Sequence, residues 1–156
     1  MEIAGLPLHA LVIHAAVVFT PLAVLVAVVF VAVPQWRYLS RWPAAALTLI
    51  ALCSVWLARL SGNALVQDRP DLAPLVRTHE SRGEVLSLLM IMFTVVVAVA
   101  VWGIGGRSGL VSGKGARVTQ VAVLDKVMPA AVVVTALLVL AWVFLTGDAG
   151  SRAVWG

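Results

Sequence analysis

Apolar positions in this chain gather into four long runs, and polar residues concentrate in the short stretches between them. The first run, LHALVIHAAVVFTPLAVLVAVVFVAV, extends from Leu8 to Val33. Its 26 residues reach roughly 39 Å at the helical rise, enough to cross a bilayer. The runs predict helices over about 8–33, 43–61, 75–104 and 120–146. Gly5 and Pro7 break the chain ahead of the first helix, and proline suits a first turn. Pro21 is expected to bend that helix, as membrane helices tolerate when neighbours satisfy the freed carbonyl.

The connections read differently from one another. PQWRYLSRWP, from Pro34 to Pro43, mixes Trp, Tyr and Arg as a membrane–water interface does. Asn63 to Glu84 holds most of the acidic residues, and Pro70 and Pro74 make its first part irregular. Gly105 to Gln120 is glycine-rich and basic, and TGDAGSRAVWG closes the chain. The expected fold is all-α, an integral membrane four-helix bundle forming a single transmembrane domain over residues 1–156.

Composition sharpens this picture. The chain is 62% hydrophobic and 12% charged, whereas soluble domains carry about a quarter charged residues. Mean hydropathy is +1.06. The net charge of +4 lies mostly in two short loops, which topology explains better than nucleic-acid binding does. Cys53 is the lone cysteine, so an internal disulfide, a covalent CxxCH haem and an iron–sulfur cluster are excluded. MEIAGLPLHA has no basic n-region, so the first helix is expected to be kept.

Counting charges orients the bundle. Loops one and three carry Arg37, Arg41, Arg107, Lys114, Arg117 and Lys126, and the other end carries Arg59, Arg69, Arg77, Arg82 and Arg152. The Lys/Arg count is nearly even, but loop brevity favours loops one and three inside. Both termini and all three histidines then lie on the outer side.

Those histidines are the candidate chemistry. His9 and His14 are five residues apart in the first helix, about 140° from each other, so one face cannot present both. His14 aligns with Pro21 and His9 with Thr20. In the third helix His79, Gly83, Leu86 and Met90 share a stripe, and Gly83 leaves room for something broad and flat. A b-type haem between facing helices needs one imidazole from each, and His14 with His79 is the expected pair. His9 is a propionate partner or itself the ligand, and Arg82 and Arg77 are expected at the propionates.

Copper or zinc on His9, His14, His79 and Glu80 is the alternative site. Zinc hydrolysis is weak, since His79-Glu80 is not followed by HExxH spacing. Met90 and Met92 read as packing, Asp125-Lys126 as an interfacial pair, and Asp148 as a solvated turn in preference to a cap or hydrogen bond at the histidine end. No charged or broken-helix path crosses the midplane, so transport is disfavoured.

GLPLHALVIHAAVVFTPLA resembles the opening of the DUF2231 family of small four-helix bacterial membrane proteins. His9 and His14 match its two histidines, while Ala10 replaces the usual proline and Pro21 is a displaced one. ARLSGNAL, the His79-Glu80 region and the glycine-bearing tail extend the resemblance. It implies a bacterial cytoplasmic membrane, and its fusion to Rieske iron–sulfur domains in some relatives implies electron transfer with such a redox partner and a bound haem b.

The sequence therefore leads to a haem-b-binding electron carrier or redox-complex subunit, rather than a stand-alone enzyme. An accessory subunit whose histidines only satisfy loop carbonyls, or a copper or zinc protein, are its competitors. Small residues such as Ala44, Ala45 and Ala46 permit oligomers without choosing one.

Overall fold

The computed structural model describes residues 2–3, 6–107, 110 and 112–155. Gly5, expected to break the chain before the first helix, lies outside the described residues, as do Ser108, Gly109 and Val111 of the third loop. Glu2–Ile3 pairs antiparallel with Leu6–Pro7. Four helices follow: α1 (Leu8–Ala32), α2 (Arg37–Asp68), α3 (Ala73–Gly103) and α4 (Ala122–Trp155). Each contains a stretch long and apolar enough to cross a membrane, the first being Val12–Ala32. The outer surface is itself apolar: Leu25, Leu39, Val95, Leu137 and Phe144 are each more than half exposed. A surface of that kind belongs against lipid rather than water. The chain is a multi-pass membrane protein.

Two helices run well beyond the expected bounds. α2 opens at Arg37 and not near Pro43, so most of the aromatic and basic stretch is helix instead of loop. It also continues to Asp68, well past Leu60. α4 runs through TGDAGSRAV to Trp155, where an irregular tail was expected. Polar residues end a bilayer crossing without ending a helix, because the backbone hydrogen bonds continue into the aqueous layer. The chain does break at the prolines: Pro34 and Pro70 each start a single 3₁₀ turn, Pro34–Trp36 and Pro70–Leu72. A first-turn proline has no N–H to leave unpaired there. Pro21, Pro43 and Pro129 lie inside helices.

α1 packs mainly on α2 and α3 on α4, while α2–α3 and α1–α4 contacts close the ring. This makes α1 and α3 diagonal partners. Phe30, Met90, Phe93, Val97, Val132 and Val139 fill the centre with almost no exposure. Ala23, Ala27, Ala44, Ala51, Ala100 and Ala136 are also buried, and their small side chains let the backbones approach.

Two arginines fasten the end of the bundle away from the histidines. Arg37 donates from Nη1 to the Gly105 carbonyl at 2.6 Å, from Nε to Phe30 at 3.2 Å and from Nη2 to Val31 at 3.2 Å. Arg41 donates from Nη2 to the Ile104 carbonyl at 2.6 Å and from Nη1 to Val101, and its guanidinium stacks 5.4 Å from the Phe30 ring. These bonds satisfy carbonyls left over at the C-terminal ends of α1 and α3. The loop after α3 returns through a bridge between Gly106 and Arg117. A side chain at Gly105 would run into the Arg117 carbonyl and the Thr119 N–H, so that crossing needs glycine. Asp125 accepts from Thr119 and stands 3.5 Å from Arg37.

Candidate functional site

The opposite end, where α1 begins and α4 finishes, holds an apolar cavity among all four helices. Its volume is about 150 Å³, and it is open on one side. α1 contributes His9, Ile13, Ala16 and Thr20, a stripe with helical spacing. α3 contributes Val76, His79, Gly83 and Leu86. α2 adds Arg59 and Gly62, and α4 adds Thr146 and Gly147.

The site's two imidazoles are each held by their Nδ1 atom. His79 Nδ1 lies 2.9 Å from the Thr146 carbonyl, which only accepts, so Nδ1 carries the proton. His9 Nδ1 lies 3.0 Å from Ser61 Oγ. Ser61 gives its single proton to the Ala58 carbonyl at 3.0 Å, so the network that satisfies every group has His9 Nδ1–H donating to Ser61. Both rings then keep an Nε2 lone pair, the tautomer of a histidine that ligates a metal with its other nitrogen oriented by a neighbour.

Glycines make room for this arrangement. A Cβ on Gly62 would meet His9 Cε1 at 3.0 Å, and one on Gly150 would meet His79 Nδ1 at 3.0 Å. A Cβ on Gly83 or Gly147 would meet nothing within 4 Å, so these two face open space. His9 precedes the span Val12–Ala32. Burial and the neighbouring His79 hold its pKa below the ordinary histidine value, and only the Ala58 carbonyl opposes them. A neutral ring is the form that ligates.

The buried hydroxyls separate into two kinds. Thr48, Ser54, Ser87 and Thr135 each donate to the carbonyl four residues back. Thr20 and Thr146 are as deeply buried, yet their Oγ1 atoms have no hydrogen-bond partner among the described residues. Both line the cavity. An orphaned hydroxyl in an apolar interior costs about 1–3 kcal/mol, which a polar ligand in the cavity would relieve.

The expected residues distribute unevenly. His14 is exposed on α1 and does not line the cavity. The structure thus brings His9, and not His14, to His79, because about 140° of helix separates positions five apart. For the same reason the three-histidine metal set does not assemble, and no group of three His, Cys, Asp or Glu side chains suited to a metal forms among the described residues. Gly83 and Glu80 do line the cavity. Arg82 and Arg77 do not: Arg82 donates to the Leu145 carbonyl at 2.6 Å and pairs with Asp148 at 3.8 Å, and Arg77 is exposed. Asp148 is no solvated turn, since Arg152 also reaches it at 3.0 Å from within α4.

The cation at the cavity is Arg59, held by Glu84 at 2.7 Å and stacked 5.4 Å from the Trp56 ring. Arg59, Ser61 and Thr146 were not singled out as site residues from the sequence. The His9–Thr20 alignment was the signal for the face of α1 that lines the cavity. No family model, no curated protein and no solved structure matches the chain.

Proposed function

We propose that this protein is a membrane electron-transfer subunit that binds a b-type haem between His9 and His79. The observation that carries this reading is the pair of imidazoles on diagonal helices, each fixed through Nδ1, lining one apolar cavity. The residues present fit such a group. The imidazoles of His9 and His79 would hold its iron, and the open faces of Gly83 and Gly147 leave space for a flat ring. The cavity of about 150 Å³ is smaller than the range of about 300–1,000 Å³ for ligand sites, so a haem would have to extend out through its open side. Arg59 is the cation placed to meet a propionate at the mouth. When bound, the haem would supply one-electron oxidation and reduction.

The chain's own part is to hold the rings and keep water out. Ser61 and the Thr146 carbonyl set the tautomer and rotation of the imidazoles. Val55, Leu86 and Val143 form part of the apolar wall that excludes water. The resemblance to DUF2231 proteins agrees with this role, and it supplies the rest of the proposal: a bacterial cytoplasmic membrane, the histidine end outside, and a Rieske-type or other redox partner.

The test is a reduced-minus-oxidised visible spectrum of protein purified in mild detergent after expression with ample haem. Sharp Soret and α bands are expected, lost in His9→Ala and in His79→Ala and retained in His14→Ala. Bands that persist without His9 would overturn the ligand pair. A flat spectrum from the unchanged chain would overturn haem binding altogether. Elemental analysis would then separate a copper or zinc protein from an accessory subunit whose histidines only hold the helices together.

A further inference from the structure

The end of the bundle away from the histidines carries more positive charge than its acids balance. Arg37, Arg107, Arg117 and Asp125 line an open recess of about 590 Å³ formed by the α3–α4 loop against the start of α2. The carboxylate of Asp125 is already taken, by Arg37 at 3.5 Å and by the Thr119 hydroxyl. Arg107 and Arg117 are exposed, with no acidic partner among the described residues. Lys126 adds a further exposed cation beside Asp125. Guanidinium groups in an open recess are suited to a phosphate, which they can grip with paired N–H bonds.

A second observation gives the depth of this recess. Trp36, Trp42 and Trp102 stand at the same end, 58%, 73% and 59% exposed. Exposed tryptophans at the ends of spanning helices sit at the headgroup level of a bilayer. Val118 also lines the recess and is 83% exposed, an apolar side chain that water would not favour but an acyl chain would. Charge, depth and this apolar edge occur together.

We propose that the recess binds the headgroup phosphate of an anionic phospholipid, with Arg107 and Arg117 as its ligands and Val118 against the glycerol and upper acyl segment. The lipid would also lie over the clamp in which Arg37 and Arg41 hold the ends of α1 and α3. Binding there would tie the α3–α4 loop to the ends of the helices. This site is independent of the histidine cavity and of whatever that cavity holds.

The experiment uses the full chain, delipidated in mild detergent, and follows binding by native mass spectrometry and thermal unfolding. Phosphatidylglycerol, phosphatidylcholine and inorganic phosphate are the three probes. Phosphatidylglycerol is expected to bind at least tenfold more tightly than phosphatidylcholine and to raise Tm more. Each phosphate-facing cation near a membrane surface contributes about fivefold in affinity. The double variant Arg107→Gln/Arg117→Gln should therefore lose roughly 25-fold for phosphatidylglycerol, with its helical circular dichroism unchanged. Equal binding of the two lipids overturns the proposal, as does full affinity in the folded double variant. Saturation by inorganic phosphate at the same concentration would make the recess a site for soluble anions instead. Should the variant fail to fold, the probe series on the unchanged chain still decides.

Discussion

Gly150 and Gly62 show how much of the histidine site depends on side chains that are absent. Each glycine lies on the helix neighbouring its histidine, at a distance where a Cβ is in hard contact with the ring. The His79 ring cannot easily retreat, because its Nδ1 is bonded to the Thr146 carbonyl on the same helix as Gly150. Gly150→Ala should therefore weaken both stability and binding. Alanine is favoured over glycine in a helix interior by about 1 kcal/mol, but the contact with a tethered ring and the loss of its hydrogen bond outweigh that, so Tm in detergent is expected to fall. Haem occupancy is expected to fall severalfold, because the imidazole must rotate away from its orienting carbonyl. Absorbance per protein and a melting curve on the same sample check both halves. Unchanged occupancy would mean that the ring position is not set by this contact. The α1 stripe was legible from spacing: His9 falls on the face of Thr20, and that face lines the cavity. Depth was misleading. His14 lies further along the helix but turns outward, and distance along a helix does not say which way a residue faces.

At the scale of elements, the apolar runs identified the four crossings but not where the helices begin. The opening of α2 is the clearest instance. A stretch with Trp, Tyr and two arginines has the composition of an interfacial loop, yet Arg37 and Arg41 are four apart and so share one helical face. That face is buried, at 9% and 8% exposure, because the guanidiniums serve carbonyls at the ends of α1 and α3. The arginine spacing was visible in the sequence. Its receptors were not, since they are main-chain groups on other elements: Phe30 and Val31 of α1 for Arg37, and for Arg41 Val101 and Ile104, 60 and 63 residues further along the chain. Arg41→Ala removes two charge-assisted bonds and leaves two carbonyls of α3 unpaired, a loss of roughly 3 kcal/mol. A several-degree drop in Tm is expected, and Arg41→Lys should recover little, because an ammonium cannot span two carbonyls as a planar fork does. Full recovery by lysine would show that charge alone matters there. The histidine cavity is at the far end of the bundle, so ligand binding at permissive temperature should be unaffected.

For the whole molecule, the ring order makes the histidine pair possible. α1–α2 and α2–α3 are joined by short turns, which place consecutive helices side by side and antiparallel. α1 and α3 therefore run in the same direction on opposite corners, and their N-terminal ends, with His9 and His79, come to one end of the bundle. No sequence pattern announces which helices are diagonal. The packing also refines the charge asymmetry. At the histidine end Arg59, Arg69, Arg82 and Arg152 each pair with a carboxylate, whereas at the other end Asp125 alone faces Arg37. Arg107 and Arg117 of the α3–α4 loop, which have no acidic partner among the described residues, favour the cytoplasmic side, where positive loops are retained and anionic lipid is concentrated. Cysteine labelling tests this orientation directly. Cys53 is exposed on α2, so Cys53→Ser supplies the background, and Ser112→Cys and Gln67→Cys mark the two ends. A membrane-impermeant maleimide should label Gln67→Cys on intact cells and Ser112→Cys only on inside-out vesicles. The reverse pattern would place the histidine end in the cytoplasm and overturn the proposed orientation.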